Sequence, residues 1–128
     1  MLVLHYPPLD EAYVDFAGRS AIELIDRYEN LLVVQTFSKA RSMAGMRIGY
    51  AIGNPELIKY LNDAKYSFNS YTMNQPSLIC GVEAVKDKAY FEEHVQMIKD
   101  TREWTKAEYP TRERLIYMPI RPDTSAGI

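Results

Sequence analysis

The chain has 128 residues, 47% of them hydrophobic and 25% charged, and 17 acidic side chains nearly balance 15 Lys plus Arg. That composition excludes a disordered polar chain and the basic face of a nucleic-acid-coating protein, and the length fits one domain. Cys80 is the single cysteine, so no internal disulfide is possible; it is expected to be a buried structural thiol in a reducing compartment, with the cytoplasm as the default location.

In chain order, Leu2 to Leu4 reads as a short strand cut off by Pro7 and Pro8, which cannot donate to a central ladder. Ser20 precedes AIELIDRYEN, where apolar residues recur at helical spacing and Glu23 stands where a capping box needs it, so a helix is predicted there. The β-branched run LLVVQTFS (31–38) predicts a buried strand, and RIGYAI (47–52) predicts a second. Asn54 and Pro55 open a helix over ELIKYLNDAK, as N-cap and first helical residue. SFNSYTMNQP (67–76) reads as a polar loop bearing aromatics. Helical pattern returns from Ser77 to Lys86. A longer amphipathic helix follows over Ala89–Glu108, with Phe91, Val95, Ile98 and Trp104 in its apolar stripe, ended by Tyr109 and Pro110. The last stretch has two further prolines and weak periodicity. No apolar run approaches the roughly 20 residues needed to cross a bilayer, and no cationic segment precedes an apolar one at the N-terminus, so neither membrane anchor nor export signal is expected. Strand, helix and strand in alternation predict an α/β fold around a parallel sheet.

The stretch with chemical content is TFSKARSMAGMRIGY, 36–50. Lys39 lies just past a buried strand, between the hydroxyls of Thr36 and Ser38 and the guanidinium of Arg47. This set combines an amine able to form a Schiff base with donors for a phosphate. A pyridoxal phosphate site needs those parts and an Asp or Arg facing the pyridine nitrogen; Asp10, one helix and one strand upstream, can supply the acid. Tyr13 could hydrogen-bond the ring's phenolic oxygen. Asp10 and Glu11 could instead form a solvated acidic turn, and a lysine beside a serine is a common surface pair. Arg41 reads as a surface residue. Tyr66, Phe68, Asn69 and Tyr71 could line a substrate pocket or only pack their loop. His5 and His94 read as solvated, and no His and Cys spacing resembles a metal site.

DEAYVDF (10–16) and FSKARSMAGMRIGY (37–50) resemble the paired signatures of fold type I aminotransferases, closest to the histidinol-phosphate aminotransferase group, and the likeness runs over about 9–107. It implies an α/β fold, part of the large cofactor-binding domain with its three α/β/α layers. It implies pyridoxal 5'-phosphate as cofactor, with Lys39 both tether and acid/base. Asp10 would hold the pyridinium, Tyr13 the phenolic oxygen, and Thr36, Ser38 and Arg47 the phosphate. The implied reaction moves an amino group between an amino acid and a 2-oxo acid, with histidinol phosphate and 2-oxoglutarate as the favoured pair, in a homodimeric enzyme. Threonine-phosphate decarboxylation and aromatic transamination would use the same residues. Gly45 and Gly49 would let the backbone pass close to the site.

The sequence departs from the family at both ends. HYPPL stands where an apolar strand is expected before the aspartate, and residues 108–128 form an atypical tail. The chain therefore reads as a single partial aminotransferase domain over 1–128. The arginine that would bind the substrate carboxylate, and the tyrosine given across the dimer, lie in parts that an intact enzyme has and this sequence lacks. A catalytically inactive truncated remnant is the competing expectation.

Overall fold

The computed structural model describes residues 8–109. The Leu2–Leu4 strand, His5 and the atypical tail after Tyr109 lie outside the described residues. Within them the order is β1 (Leu9–Asp10), α1 (Val14–Ala17), a 3-10 turn at Ala21–Leu24, β2 (Leu32–Thr36), a second 3-10 turn at Ala44–Met46, β3 (Gly49–Gly53), α2 (Pro55–Phe68), α3 (Gln75–Lys86) and α4 (Lys88–Glu108).

The three strands form one sheet in the order β1-β2-β3. β1 runs parallel to β2 with Asp10 opposite Val34, as the α/β reading requires. β3 runs antiparallel to β2, with Gln35 opposite Tyr50, so the sheet of this α/β unit is mixed. The reason is the connection. Residues 37–48 hold only a short 3-10 turn, with no helix to carry the chain back across the sheet, so it folds back on itself. Side chains alternate across the pleat, so register sets two faces. Asp10, Val34 and Thr36 share one; Glu11, Gln35 and Tyr50 share the other.

β2 is central and carries the core: Val33 is fully buried, Leu32 nearly so, and Phe37 just beyond the strand is buried as well. Each such side chain contributes about 1.5–3 kcal/mol on burial. The β-branched run therefore does what its composition predicts.

The helix predicted over AIELIDRYEN is only a 3-10 turn. Ser20 does cap it, accepting from the Ile22 N–H at 3.1 Å, but the partner is not Glu23. Glu11 takes the Ala21 N–H at 2.6 Å and the Ser20 hydroxyl at 2.6 Å, tying the turn to the end of β1 instead of letting it propagate. α2 begins as predicted, with Asn54 Oδ1 accepting from Glu56 N–H at 2.8 Å and Pro55 at its first position. It runs on through Phe68, so the expected loop shortens to residues 69–74. Asp87 ends α3 and caps α4, accepting from Tyr90 N–H at 3.1 Å.

The apolar stripe of α4 is only partly used. Val95 is buried and Phe91 half-buried, whereas Ile98 and Trp104 are exposed. Cys80 on α3 is half-buried rather than a core thiol. Gly45 has open space around it and Gly49 makes only an ordinary contact; the closer approaches fall at Gly53, where a Cβ would come within 3.0 Å of the Leu31 carbonyl oxygen, and at Gly81, where a Cβ would come within 2.9 Å of Ile48 Cδ1. Among the described residues no helix is long and apolar enough to cross a membrane.

Candidate active site

The candidate residues gather where β1 and β2, the parallel pair, both end. In open α/β sheets that carboxyl edge is where ligands sit. Asp10 closes β1, Tyr13 follows in the next turn, Thr36 closes β2, and Ser38 and Lys39 come directly after. The Lys39 ammonium stands over the Tyr13 ring at 5.3 Å from its centroid, so the two sequence segments meet in space. Lys39 is exposed and forms no ion pair among the described residues.

Asp10 is exposed, and one carboxyl oxygen accepts from Ala12 N–H at 2.9 Å in an Asx-type turn, while the other takes no hydrogen bond among the described residues. The Thr36 hydroxyl accepts from Ser38 N–H at 3.1 Å, donates to the Ser38 hydroxyl at 2.9 Å and also reaches the Ile48 carbonyl at 3.2 Å. The second leg of the loop, bearing Arg47, is thereby drawn to the end of β2. Phe37 N–H reinforces this, donating to the same Ile48 carbonyl at 3.1 Å. Arg47 itself adopts a left-handed backbone, φ 55°, as does Ser42, an uncommon conformation for residues with a Cβ. Its guanidinium is exposed and donates to the Ala44 carbonyl at 3.1 Å. The structure thus brings Tyr13 to Lys39 and Thr36 to Ser38, and leaves Arg47 turned back on its own loop.

Sequence reading missed two features. Glu11 is no solvated acid: besides Ser20 and Ala21 it accepts from Gln35 Nε2 at 2.9 Å, and Gln35 in turn accepts from the Tyr50 hydroxyl. These side chains form a polar ladder across all three strands, on the face opposite Asp10. Their adjacency in register was the available signal, hidden until the strand pairing was known. Arg41 is no surface residue either. It is half-buried, donates to the Ala84 carbonyl at 2.7 Å, and stacks over the rings of Phe37 at 5.2 Å and Phe91 at 4.2 Å. Only the aromatic spacing on α4 hinted at it. Tyr66, Phe68 and Tyr71 do not pack their loop: Phe68 is 96% and Tyr71 93% exposed. His94 stacks on Tyr90, with ring centroids 3.7 Å apart.

Beneath the ladder, burial raises the Asp15 carboxyl above its ordinary value of 3.8, opposed by the charges of Arg41 and Lys99. Burial also raises Tyr50, with the Asp15 charge adding to it. A raised carboxyl favours its protonated form in the fold. Its contribution to stability is therefore present below 3.8 and is lost as pH rises through the folded value. Asp15→Asn is expected to gain on the parent chain in urea midpoint as pH rises from about 3 to about 6. A difference that stays constant over that range would refute the assignment.

The aminotransferase class I and II family matches residues 5–109, and the chain belongs to that family. It is 59% identical over 99 residues to histidinol-phosphate aminotransferase of Brachyspira hyodysenteriae, covering 77% of this chain and 28% of that protein. It is 49% identical over 100 residues to histidinol-phosphate aminotransferase 1 of Pseudomonas fluorescens, covering 78% and 29% respectively. The fold is similar to the crystal structure of histidinol-phosphate aminotransferase from Sinorhizobium meliloti in complex with pyridoxal-5'-phosphate, with a TM-score of 0.65 and 31% identity over 73% of this chain and 26% of that one. The fold is accordingly the α/β fold of type I aminotransferases. The chain spans under a third of the length of the curated relatives it matches.

Proposed function

We propose that this chain carries the lysine-bearing half of a pyridoxal phosphate site, from the large domain of an aminotransferase acting on histidinol phosphate and 2-oxoglutarate. The observation that carries the reading is Lys39, exposed at the carboxyl edge of the parallel strands with its ammonium over Tyr13, in a chain about half identical to enzymes of that name. The donor chemistry fits the cofactor. Thr36, Ser38 and Arg47 offer two hydroxyls and a guanidinium on the two legs of one loop, a set suited to phosphate oxygens. Asp10 offers a carboxylate oxygen suited to a protonated ring nitrogen. Tyr13 offers a hydroxyl for the phenolic oxygen.

Pyridoxal phosphate, when bound, supplies a carbonyl that condenses with amines and a protonated ring that draws electrons from the substrate's α-carbon. Lys39 would have two tasks there: its Nζ, once neutral, would be the nucleophile that holds the cofactor, and it would also accept the proton from the substrate α-carbon. Asp10 keeps a proton on the ring nitrogen. Arg47 and the two hydroxyls would hold the phosphate end. The exposed rings of Phe68 and Tyr71 are available to line a substrate pocket completed elsewhere. We place the protein in the cytoplasm, as a homodimer when intact, and read 1–128 as one partial domain.

The test is an absorbance spectrum of the purified chain with pyridoxal phosphate, then borohydride reduction and mass mapping. A visible band trapped at Lys39 alone is the expected result. Label scattered over many lysines would overturn cofactor binding by this polypeptide. Arg47→Ala is expected to weaken retention of the cofactor about tenfold to a hundredfold, the weight of a charge-assisted phosphate contact, while Lys39 is still trapped at saturation. Equilibrium dialysis reads this directly.

A further inference from the structure

The loop that carries Lys39 and Arg47 is held at three points along one side of α3. Near the N-terminus of that helix, Ser77 is 2% exposed and its hydroxyl donates to the Met46 carbonyl, next to Arg47, at 2.8 Å. In the middle, Gly81 lies against Ile48, which follows Arg47: a Cβ there would come within 2.9 Å of the Ile48 Cδ1 methyl, so one of the two would have to shift. Near the C-terminus, the Ala84 carbonyl accepts from Arg41, two residues past Lys39, at 2.7 Å. Positions 77, 81 and 84 fall on one stripe of a helix. Around the lysine, Phe37 and Ala40 are buried and Arg41 is wedged between the Phe37 and Phe91 rings, so Lys39 alone of this group points outward. The Lys39 carbonyl is fixed too, accepting from Ser42 N–H at 3.1 Å.

We infer that α3 is the template for the candidate site and that Arg41 and Ser77 are its positioning residues, Arg41 setting the lysine leg of the loop and Ser77 the arginine leg. The inference rests on the cofactor reading above. It goes further by giving the two residues separable effects. Losing Arg41 frees the Lys39 backbone and leaves the phosphate leg bolted; losing Ser77 does the reverse.

The experiment uses the 128-residue chain and the variants Arg41→Met, Arg41→Lys and Ser77→Ala, each checked for cooperative unfolding. Two ratios are read: borohydride labelling at Lys39 over Lys59, an exposed lysine on α2, and binding of pyridoxal phosphate over pyridoxal, which lacks the phosphate. Arg41→Met is expected to lower the first ratio about tenfold, the loss of one charge-assisted bond, with Arg41→Lys intermediate. Ser77→Ala is expected to lower the second ratio about threefold to tenfold with the first unchanged, the loss of one neutral hydrogen bond. A general loss of structure would move both ratios together. Folded Arg41→Lys and Ser77→Ala chains that match the parent in both ratios overturn the inference, even if Arg41→Met does not fold. Amide exchange at Ser42 separates this from failure of the cofactor reading. If the parent shows no preference for Lys39 the cofactor reading falls, whereas faster exchange at Ser42 in the Arg41 variants still upholds the template and unchanged exchange refutes it.

Discussion

Lys39→Ala is expected to abolish the visible band and all borohydride-trapped cofactor at this position, with the fold intact. The second half of that expectation makes the first informative. Lys39 is exposed and its side chain forms no ion pair among the described residues; its ammonium stands over Tyr13 at 5.3 Å. An exposed cation–π contact is worth about 0.5–1 kcal/mol, so truncation removes little stability. Lys39→Arg sharpens the test, since it keeps a cation over the ring but offers a guanidinium that cannot serve as the nucleophile at neutral pH. Both variants should lose the label equally. Trapping that survives in either, at any single lysine, would move the tether elsewhere in the chain.

The largest effect on stability is expected at Glu11. Its carboxylate accepts three hydrogen bonds, from Ser20 Oγ, Ala21 N and Gln35 Nε2, and Gln35 passes the connection to Tyr50 on β3. Glu11→Ala leaves three part-buried donors without an acceptor, and about 3 kcal/mol of destabilisation follows from typical costs of unpaired polar groups. Glu11→Gln keeps one acceptor oxygen and should lose roughly half as much. Urea unfolding with an unchanged slope reads both. A loss below roughly 1 kcal/mol for the alanine variant would mean that water replaces the carboxylate and that the ladder is not a unit.

What could be read in advance divides along physical lines. β2, the start of α2 at Asn54 and Pro55, and the span of α4 follow from local propensity and capping, which act within a few residues. The antiparallel return of β3 does not, because strand direction is set by the connection between strands, and RIGYAI reads alike in either sense. The segment at Ala21–Leu24 reads as a helix but forms only a turn, because the carboxylate that ties it down, Glu11, lies ten residues away. The lysine segment was legible as chemistry: amine, hydroxyls and guanidinium sit together in TFSKARSMAGMR. Its support was not. Arg41 takes its meaning from Phe91 and Ala84, and Ser77 from Met46, contacts between elements far apart in sequence. The tails remain as read from composition, outside the described residues.

The direction of β3 has a kinetic side. β2 and β3 pair across the short connection 37–48, whereas β1 reaches β2 only after the longer stretch 11–31 has been closed. Shorter closures carry the smaller entropy cost and form earlier. The half-site with Lys39 and Arg47 is then the early-assembling one, and Asp10 and Tyr13 are docked onto it late. The loss in Glu11→Ala should accordingly appear as faster unfolding at a nearly unchanged folding rate in stopped-flow chevrons, so the two sides of this candidate site differ in when they come into being as well as in what they hold.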